Sequence, residues 1–285
     1  MFGKKKYEIT EGEYGPRLSP MSPWSDKMER IIKQKGIVEL ELNRAKRWEG
    51  NDLSFLENIK ELQSLEINDW KNVDLSPIHC LNKLRRLAID TYCKNEINYT
   101  CFPELKSASL EWRPKAKSIF QCLTLEYIFI NNYPGEDLEG FSKHINLHTL
   151  RLKSPKIKRI GKIHSLVRLT FLELSNARRL ESLIGVEVLK NLEYLKIESS
   201  RKIQDIDSVK SLLQLKRLLI CDCGEIKSLV PLLNLQGLKE FIFHESTDIL
   251  DGDLSPLKKL PNIEKVSFQE RPHYNYQRKD IPGAE

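Results

Sequence analysis

Apolar positions recur along the chain at a regular interval, which is clearest from position 172 onward. Leu172, Leu195, Leu218 and Phe241 are successive copies of one position, and each is followed two positions later by a second apolar residue. Apolar residues two positions apart, each flanked by residues of the opposite face, are the pattern of a short strand with one buried face. Towards the two termini the pair recurs at Leu40/Leu42, Leu65/Ile67, Leu87/Ile89, Ala108/Leu110, Ile128/Ile130, Leu150/Leu152 and Val266/Phe268. These eleven copies, spaced 20 to 25 residues apart, define an internal repeat.

Between the strands, apolar residues fall at every third position, as in Leu183, Val186, Leu189 and Leu192. A period of three favours a 3₁₀-like or irregular return over an α-helix. One strand and one compact return form a coil of a solenoid, whose stacked coils share a core and pair their strands in a parallel sheet. The predicted fold class is therefore an α/β solenoid.

These residues resemble the leucine-rich repeat family, particularly its short class of about 22 residues found in bacterial and SDS22-like members. The family places Asn or Cys just past the strand, whereas this chain has Ala177, Ser200, Cys223 and Ser246 there. The resemblance implies a horseshoe with the parallel sheet on its concave face and short 3₁₀ or irregular returns on its convex face. It predicts three parts: residues 1–36 as lead-in and capping helix, 37–269 as about eleven repeat coils, and 270–285 as a capping tail.

The terminal coils need caps, because they would otherwise expose the core. Ser25 is a predicted N-cap for a helix over residues 26–35 that ends at Gly36. The prolines at 16, 20 and 23 predict an irregular segment before this helix. At the other end, residues 270–285 are expected to lie over the last coil.

Residues that flank the buried pair should point into the concave side, since successive strand side chains alternate faces. Large apolar residues at such positions suggest a buried contact with another molecule. Acids in the first coils, Glu39 and Glu41 among them, and cations in the middle coils would favour one docking orientation. The predicted partner-binding residues are Glu66, Asp90, Glu111, Tyr127, Phe129, Arg151, Phe171, Tyr194, Lys196, Leu219 and Ile242. The alternatives are that aromatic residues simply suit strands, that the register is shifted by one, or that the charges are unrelated.

Composition supports the repeat and excludes other classes. Leu and Ile number 42 and 26, whereas Ala numbers only 6, which disfavours a helical bundle because bundles rely on Ala. The net charge of +6 is too small to indicate nucleic-acid binding by itself. No apolar run is long enough to span a membrane. The basic start at Lys4, Lys5 and Lys6 leads into a polar segment, so we expect no secretory signal, a cytoplasmic location and reduced cysteines.

Candidate catalytic and metal-binding residues are few. Glu198, Cys221 and His244 share one strand position in successive coils, and a thiol beside an imidazole can act as a nucleophile. The carboxylate, however, flanks the cysteine rather than the imidazole, so it cannot orient the base as in a triad. His144 and His148 lack further ligands nearby. We therefore predict no catalytic residue, no metal and no cofactor.

The basic stretch 151–162 falls mostly on the turn and the return, away from the aromatic positions, which disfavours nucleic acid as a partner. The prediction is a non-enzymatic scaffold, a monomer on its own, that grips a partner protein in its concave face. The family resemblance suggests a bacterial immunity protein that neutralises a toxin. The alternatives are an SDS22-like regulatory adaptor of an intracellular enzyme and, third, an enzyme using Cys221 and His244.

Overall fold

The computed structural model describes residues 5–50, 52–93 and 95–284. The chain divides into two compact units, residues 1–128 and 129–285, and the division falls within one strand. Lys4, the first residue of the predicted basic start, lies outside the described residues, as does Glu285.

Short strands alternate with 3₁₀ returns along the described chain, as the two periods of the sequence predict. The strands are β1 (Tyr7–Glu11), β2 (Pro16–Pro20), β3 (Glu39–Asn43), β4 (Ser64–Val73), β5 (Arg86–Cys93), β6 (Ser107–Glu111), β7 (Tyr127–Asn131), β8 (Thr149–Lys153), β9 (Phe171–Ser175), β10 (Tyr194–Glu198), β11 (Arg217–Cys221), β12 (Glu225–Ile226), β13 (Glu240–Phe243), β14 (Asp248–Ile249) and β15 (Lys265–Phe268). The α-helices are α1 (Asp26–Lys35) and α2 (Ser255–Lys258). The 3₁₀ segments are Arg44–Lys46, Ser54–Asn58, Ser76–Cys80, Tyr99–Cys101, Pro114–Gln121, Glu139–Phe141, Val186–Val188, Asp207–Ser211, Val230–Asn234 and Arg278–Asp280.

In the second unit, parallel strands run in the order β8, β9, β10, β11, β13 and β15, while β12 and β14 form a separate two-stranded sheet. Leu172 pairs with Leu195, Leu195 with Leu218, and Leu218 with Phe241. In the first unit, β3 to β6 pair in parallel with the same kind of register. The predicted repeat register is therefore confirmed.

The returns begin with a repeated side-chain cap. In seven coils of the described part of the chain, an Asp or Ser oxygen accepts a hydrogen bond from the backbone N–H two positions later, which sets the first turn of the return. The capping residues are Asp52, Asp74, Asp137, Ser182, Asp205, Ser228 and Asp253. The apolar residues that follow at every third position, such as Leu183 and Leu189, are buried.

Small buried residues just past the strands take the place of the family's usual Asn. Ala177, Ser200 and Cys223, which stand at this position, are fully buried. In the next coil the buried residue is Thr247 rather than the predicted Ser246. The Thr247 hydroxyl accepts from the Cys223 N–H at 3.0 Å and donates to the Ile220 carbonyl at 2.9 Å. Ile226 still pairs with Ile249, so the repeat register is kept at Ser246. The Ser246 side chain, however, is half-buried and donates to Asp222 Oδ1 at 2.7 Å, and Thr247 supplies the buried side chain of this coil.

The amino-terminal segment is ordered, which corrects the prediction of an irregular lead-in. Strands β1 and β2 form an antiparallel hairpin, and β2 pairs with β3 in parallel. The Arg17 guanidinium donates to Glu39 Oε2 at 2.8 and 2.7 Å, and the Tyr14 N–H donates to Glu39 Oε1 at 2.5 Å. Because Glu39 is completely buried, these bonds supply the partners that its carboxylate loses from water.

Helix α1 follows the hairpin and has the predicted bounds. Gly36 ends it in the left-handed conformation, with φ of 59°, which glycine adopts without a steric penalty. Met28, Ile31 and Ile32 are buried, so one face of the helix contributes to the core.

The carboxy-terminal residues pack on the last coil. The Tyr274 hydroxyl donates to Asp248 Oδ1 at 2.7 Å, and its ring packs against Phe243 and Phe268. The Val266 N–H donates to the carbonyl of Gly283 at 2.7 Å. These contacts cover the apolar rings of Phe243 and Phe268.

Candidate protein-binding face

The open face of the sheet is the side opposite the buried Leu and Ile pairs. Along β10, Leu195 and Ile197 are buried, whereas Tyr194, Lys196 and Glu198 are half-buried. Alternation places these three side chains together on the open face. The prediction that they share one face is therefore confirmed, while their role in binding stays a prediction.

Aromatic rings of the second unit stack along the open face. Phe171 and Tyr194 are paired in register, and their rings lie parallel with centroids 4.0 Å apart and an interplanar angle of 5°. The guanidinium carbon of Arg217 lies 5.0 Å from the Tyr194 ring centroid. Burial raises the pKa of the Tyr194 hydroxyl. The rings are half-buried because each covers the other, and their outer surface remains open to a partner.

Phe129 lies on the same open face beside a charged neighbour. The guanidinium carbon of Arg151 is 5.5 Å from the Phe129 ring centroid, a cation–π distance. Further along, Leu219 pairs in register with Ile242, and both side chains are half-buried. The structure thus brings the predicted apolar residues of the second unit onto one sheet face.

Glu173 is the centre of an ion network on this face. Its side chain is 11% exposed, and Arg151 Nε donates to Oε2 at 2.6 Å while Lys196 Nζ lies 3.3 Å from Oε1. The Ser175 hydroxyl adds a hydrogen bond of 2.9 Å. Burial alone would raise the pKa of Glu173, but these hydrogen bonds and charges hold it below its ordinary value.

The network extends to the next strand. Lys196 Nζ also lies 2.9 Å from Glu198 Oε2, to which the Ser175 hydroxyl is joined at 3.0 Å. Burial opposes the charge of Lys196, yet its two carboxylate neighbours raise its pKa. The hydrogen bond from Lys196 lowers the pKa of Glu198. Arg151 and Lys196 are thus largely engaged within the protein.

A depression of about 540 Å³ lies at the carboxyl ends of β8, β9 and β10. Charged and polar groups line it: Arg151, Lys153, Glu173, Ser175, Asn176, Arg178, Glu198 and Ser199, with Phe129 and Leu152. Lys153 and Arg178 are exposed. The open face therefore carries aromatic rings where β9 and β10 begin and polar groups, around the depression, where these strands end.

In the first unit, the predicted acids have mixed surroundings. Glu66 is half-buried and lies 3.2 Å from Arg86 Nη1, and Glu111 lies 3.4 Å from Arg113 Nη1. Asp90 is exposed. With cations beside these acids, and with Glu173 and Glu198 beside the cations of the second unit, neither face carries a single sign of charge.

Two further acids of the first coils are unavailable to a partner. Glu39 is bound by the amino-terminal hairpin, as described above. Glu41 is also buried, and it is held by Lys46 at 2.7 Å and by the Ser19 hydroxyl at 2.9 Å. Although burial opposes it, these hydrogen bonds lower the pKa of Glu41. The expectation that both acids are open to a partner in the groove was wrong, because the hairpin covers this edge of the sheet.

Tyr127 lines a second depression, of about 450 Å³, in the first unit. Tyr14, at the tip of the β1–β2 hairpin, borders the same depression together with Arg85, whose guanidinium carbon lies 4.6 Å from the Tyr14 ring centroid. Burial is the main cause that raises the pKa of Tyr14 to about 12. The hairpin therefore contributes to the open face, which the repeat pattern did not predict.

The Cys221 thiol lacks the features of an activated nucleophile. Burial raises its pKa, so the thiolate is disfavoured. The His244 Nε2 atom lies 2.8 Å from the Ser267 hydroxyl, so this ring nitrogen is engaged by Ser267.

Within the described ranges, no group of three or more His, Cys, Asp or Glu side chains is placed to hold a metal ion. In the same part of the chain, no helix has the length and hydrophobicity to cross a membrane.

An exposed aromatic cluster in the first unit escaped the sequence analysis. Trp70 and Tyr92 are 63% and 54% exposed, and guanidinium carbons of Arg44 and Arg113 lie 5.6 and 4.5 Å from their respective ring centroids. The pairing of β4 with β5 shifts register next to Trp70. The sequence signal was an aromatic residue three positions beyond the buried pair in each of these two coils. The bulge that exposes Trp70 does not follow from the repeat pattern.

No protein-family model matches the chain, and no curated protein matches it. Solved structures of similar fold include an internalin (inlF) from Listeria monocytogenes, with a TM-score of 0.55, 18% identity, and coverage of 90% of this chain and 83% of the internalin. A leucine-rich repeat protein of Leptospira interrogans gives a TM-score of 0.52 at 17% identity, covering 90% of this chain and 79% of that one. TLR13, solved as a complex with ssRNA13, has a TM-score of 0.60 and 17% identity, and the match covers 84% of this chain and 38% of TLR13. At these identities the similarity concerns the fold, and the chain has the leucine-rich repeat fold.

Proposed function

We propose that this chain is a non-enzymatic scaffold that binds another protein on the open face of its parallel sheet. The observation that carries the proposal is the stacked pair Phe171 and Tyr194 on the solvent side of β9 and β10. A solvated sheet face normally carries polar side chains at such positions, and rigid aromatic groups are frequent anchors of protein interfaces. Repeat scaffolds with one open face typically bind macromolecules there.

The arrangement of the face supports a large partner rather than a small one. The depression at the ends of β8 to β10 is open and mostly polar, whereas small-molecule sites usually enclose their ligand among apolar side chains. Five neighbouring strands, β8 to β11 and β13, span about 19 Å at the usual strand separation. A protein can use the aromatic, charged and polar parts of this face simultaneously.

The finer proposal is that the partner is a toxin domain, so that the chain acts as a bacterial immunity protein in the cytoplasm. It rests on the resemblance of the repeat alone. Affinity capture on the immobilised full chain from a lysate of the source cells tests it. A toxin domain as the single stoichiometric partner supports immunity, and a housekeeping enzyme in that position supports the adaptor instead.

Once a partner is in hand, alanine substitution tests the face itself. Phe129→Ala and Tyr194→Ala should each weaken binding by more than about 1 kcal/mol, because interface anchors carry most of the binding energy. Isothermal titration gives the affinity, and circular dichroism checks that the fold is kept. Leu213→Ala is the matched control, since Leu213 is 61% exposed and lies on a return. Unchanged affinity in both aromatic variants would refute the assignment of the face.

A further inference from the structure

The open face of the second unit carries two cations that the protein itself does not use. Lys153 ends β8, Arg178 lies in the turn after β9, and both line the same depression. Among the described residues, no hydrogen bond or ion pair engages either side-chain cation. Both side chains are exposed, so their positive charges are available to a molecule bound in the depression.

The acids of the depression are already neutralised. Glu173 is bound by Arg151 and Lys196, and Glu198 is bound by Lys196 and by the Ser175 hydroxyl. Arg151 and Lys196 together offset the charges of these two carboxylates, and the charges of Lys153 and Arg178 are additional to that balance. The depression therefore presents a surplus of positive charge beside hydroxyl and amide groups.

We infer that this depression is a subsite for an acidic side chain, an Asp or Glu of the protein partner, paired with Lys153 and Arg178. The inference rests on the proposed function, because the partner is the protein bound on the open face. A guanidinium can hold a carboxylate through two parallel hydrogen bonds, and the ammonium of Lys153 adds a second charge.

The strand direction sets where the acid lies relative to the aromatic rings. Phe171 begins β9 and Ser175 ends it beside the depression. At about 3.3 Å per residue, the two ends of the strand are about 13 Å apart. The partner that fits presents an apolar side chain to Phe171 and Tyr194 and an acidic side chain about 13 Å away along the strands. This spacing fixes the direction of docking as well as its charge.

Peptide selection tests the inference without knowledge of the natural partner. The probe is a display library of random dodecapeptides, selected on the immobilised full chain, and the peptides kept are those that lose binding to Phe171→Ala and Tyr194→Ala. Selection is repeated on the charge-reversed variant Lys153→Glu/Arg178→Glu. The matched control is Lys143→Glu/Lys190→Glu, which makes the same change in net charge at two exposed lysines of the returns. A neutral variant, Lys153→Gln/Arg178→Gln, covers the case in which added carboxylates beside Glu173 disturb the fold.

The expected result is that the original chain enriches peptides with Asp or Glu several positions from a large apolar residue. A synthetic peptide of this kind should bind the neutral variant about tenfold more weakly, a change of about 1.4 kcal/mol, and the control normally. The charge-reversed variant should enrich peptides with Lys or Arg instead.

Two results would overturn the subsite alone. One is the selection of peptides that need Phe171 and Tyr194 for binding but show no preference for Asp or Glu. The other is a peptide that binds the control variant as weakly as it binds the neutral variant. Absence of any aromatic-dependent peptide would overturn the proposed function. Single-stranded oligouridylate that binds through Lys153 and Arg178, with no acidic peptide selected, would assign the site to nucleic acid and refute the inference.

Discussion

Glu173 provides the sharpest test of how the open face is held together. The substitution Glu173→Gln keeps the size of the side chain, removes its charge and replaces one of its two acceptor oxygens with an NH2 donor. Arg151 and Lys196 would then face a neutral amide, at atoms that lie 2.6 and 3.3 Å from the carboxylate oxygens. The loss should therefore be electrostatic rather than a packing defect.

The magnitude follows from the exposure of the three side chains. Breaking a fully buried pair costs about 3 to 5 kcal/mol, and breaking an exposed one costs about 0 to 1 kcal/mol. The side chains of Glu173, Arg151 and Lys196 are 11%, 40% and 23% exposed, which is between these limits. We expect Glu173→Gln to lower the free energy of unfolding by about 2 kcal/mol at pH 7, between the two limits above.

The pH dependence has a definite sign. The folded pKa of Glu173 lies below its unfolded value, so the carboxylate contributes stability above about pH 4.3. This contribution is lost as the pH falls through the folded pKa. The difference between the two proteins should therefore be complete at pH 7 and shrink in acid. Urea unfolding followed by circular dichroism, at pH 7 and at steps down to about pH 3, measures both effects.

Glu193→Gln is the matched control. Glu193 lies 2.8 Å from Lys216, but the two side chains are 46% and 49% exposed. This pair should contribute at most about 1 kcal/mol, because solvent screens it. The reasoning fails if Glu173→Gln is no more destabilising than Glu193→Gln at pH 7. A difference that persists unchanged in acid would equally refute it.

Two further substitutions test the packing. Leu195→Ala removes a fully buried side chain between Leu172 and Leu218. It should lower the free energy of unfolding, measured in urea, by about 2 to 5 kcal/mol. A loss under about 1 kcal/mol would contradict the shared core. Gly12→Ala would place a methyl group onto the carboxylate of Glu39, which is buried and fixed by its partners. We therefore expect the free energy of unfolding to fall by about 1 to 3 kcal/mol and the backbone amides of β1 and β2 to exchange faster. Exchange rates unchanged from the original chain would show that the hairpin does not depend on this close approach.

The repeat register was predictable because it depends on the alternation of apolar and polar residues within each short strand. Leu195 and Ile197 alternate with polar residues within a single strand, and the next coil repeats the pattern at Leu218 and Ile220. A shift by one position would expose every Leu of a strand, so the hydrophobic pattern permits one register only. The half-buried positions of Tyr194 and Lys196 follow from the same alternation.

The state of each charged group was decided by tertiary structure. Glu39 and Glu66 both lie on the open side of a repeat strand, where Glu39 pairs with Ser64 and Glu66 with Glu41, yet Glu39 is completely buried and Glu66 is half-buried. The difference arises because the hairpin that covers Glu39 pairs with β3 only after the chain has folded. Nothing in a short window around Glu39 indicates that Arg17 will reach it.

The sequence by itself thus determined the repeat coil, its core and the face on which the side chains flanking each buried pair lie. Only the tertiary structure decided which charges are neutralised and which remain for a partner. Glu173 is engaged by Arg151 and Lys196 from the two neighbouring coils, whereas no residue that the structure describes engages the side-chain cations of Lys153 and Arg178. The physical reason is one of range. Hydrophobic alternation acts between adjacent residues of one strand, but an ion pair requires side chains from different coils, whose rotamers and distances are fixed only when the coils stack.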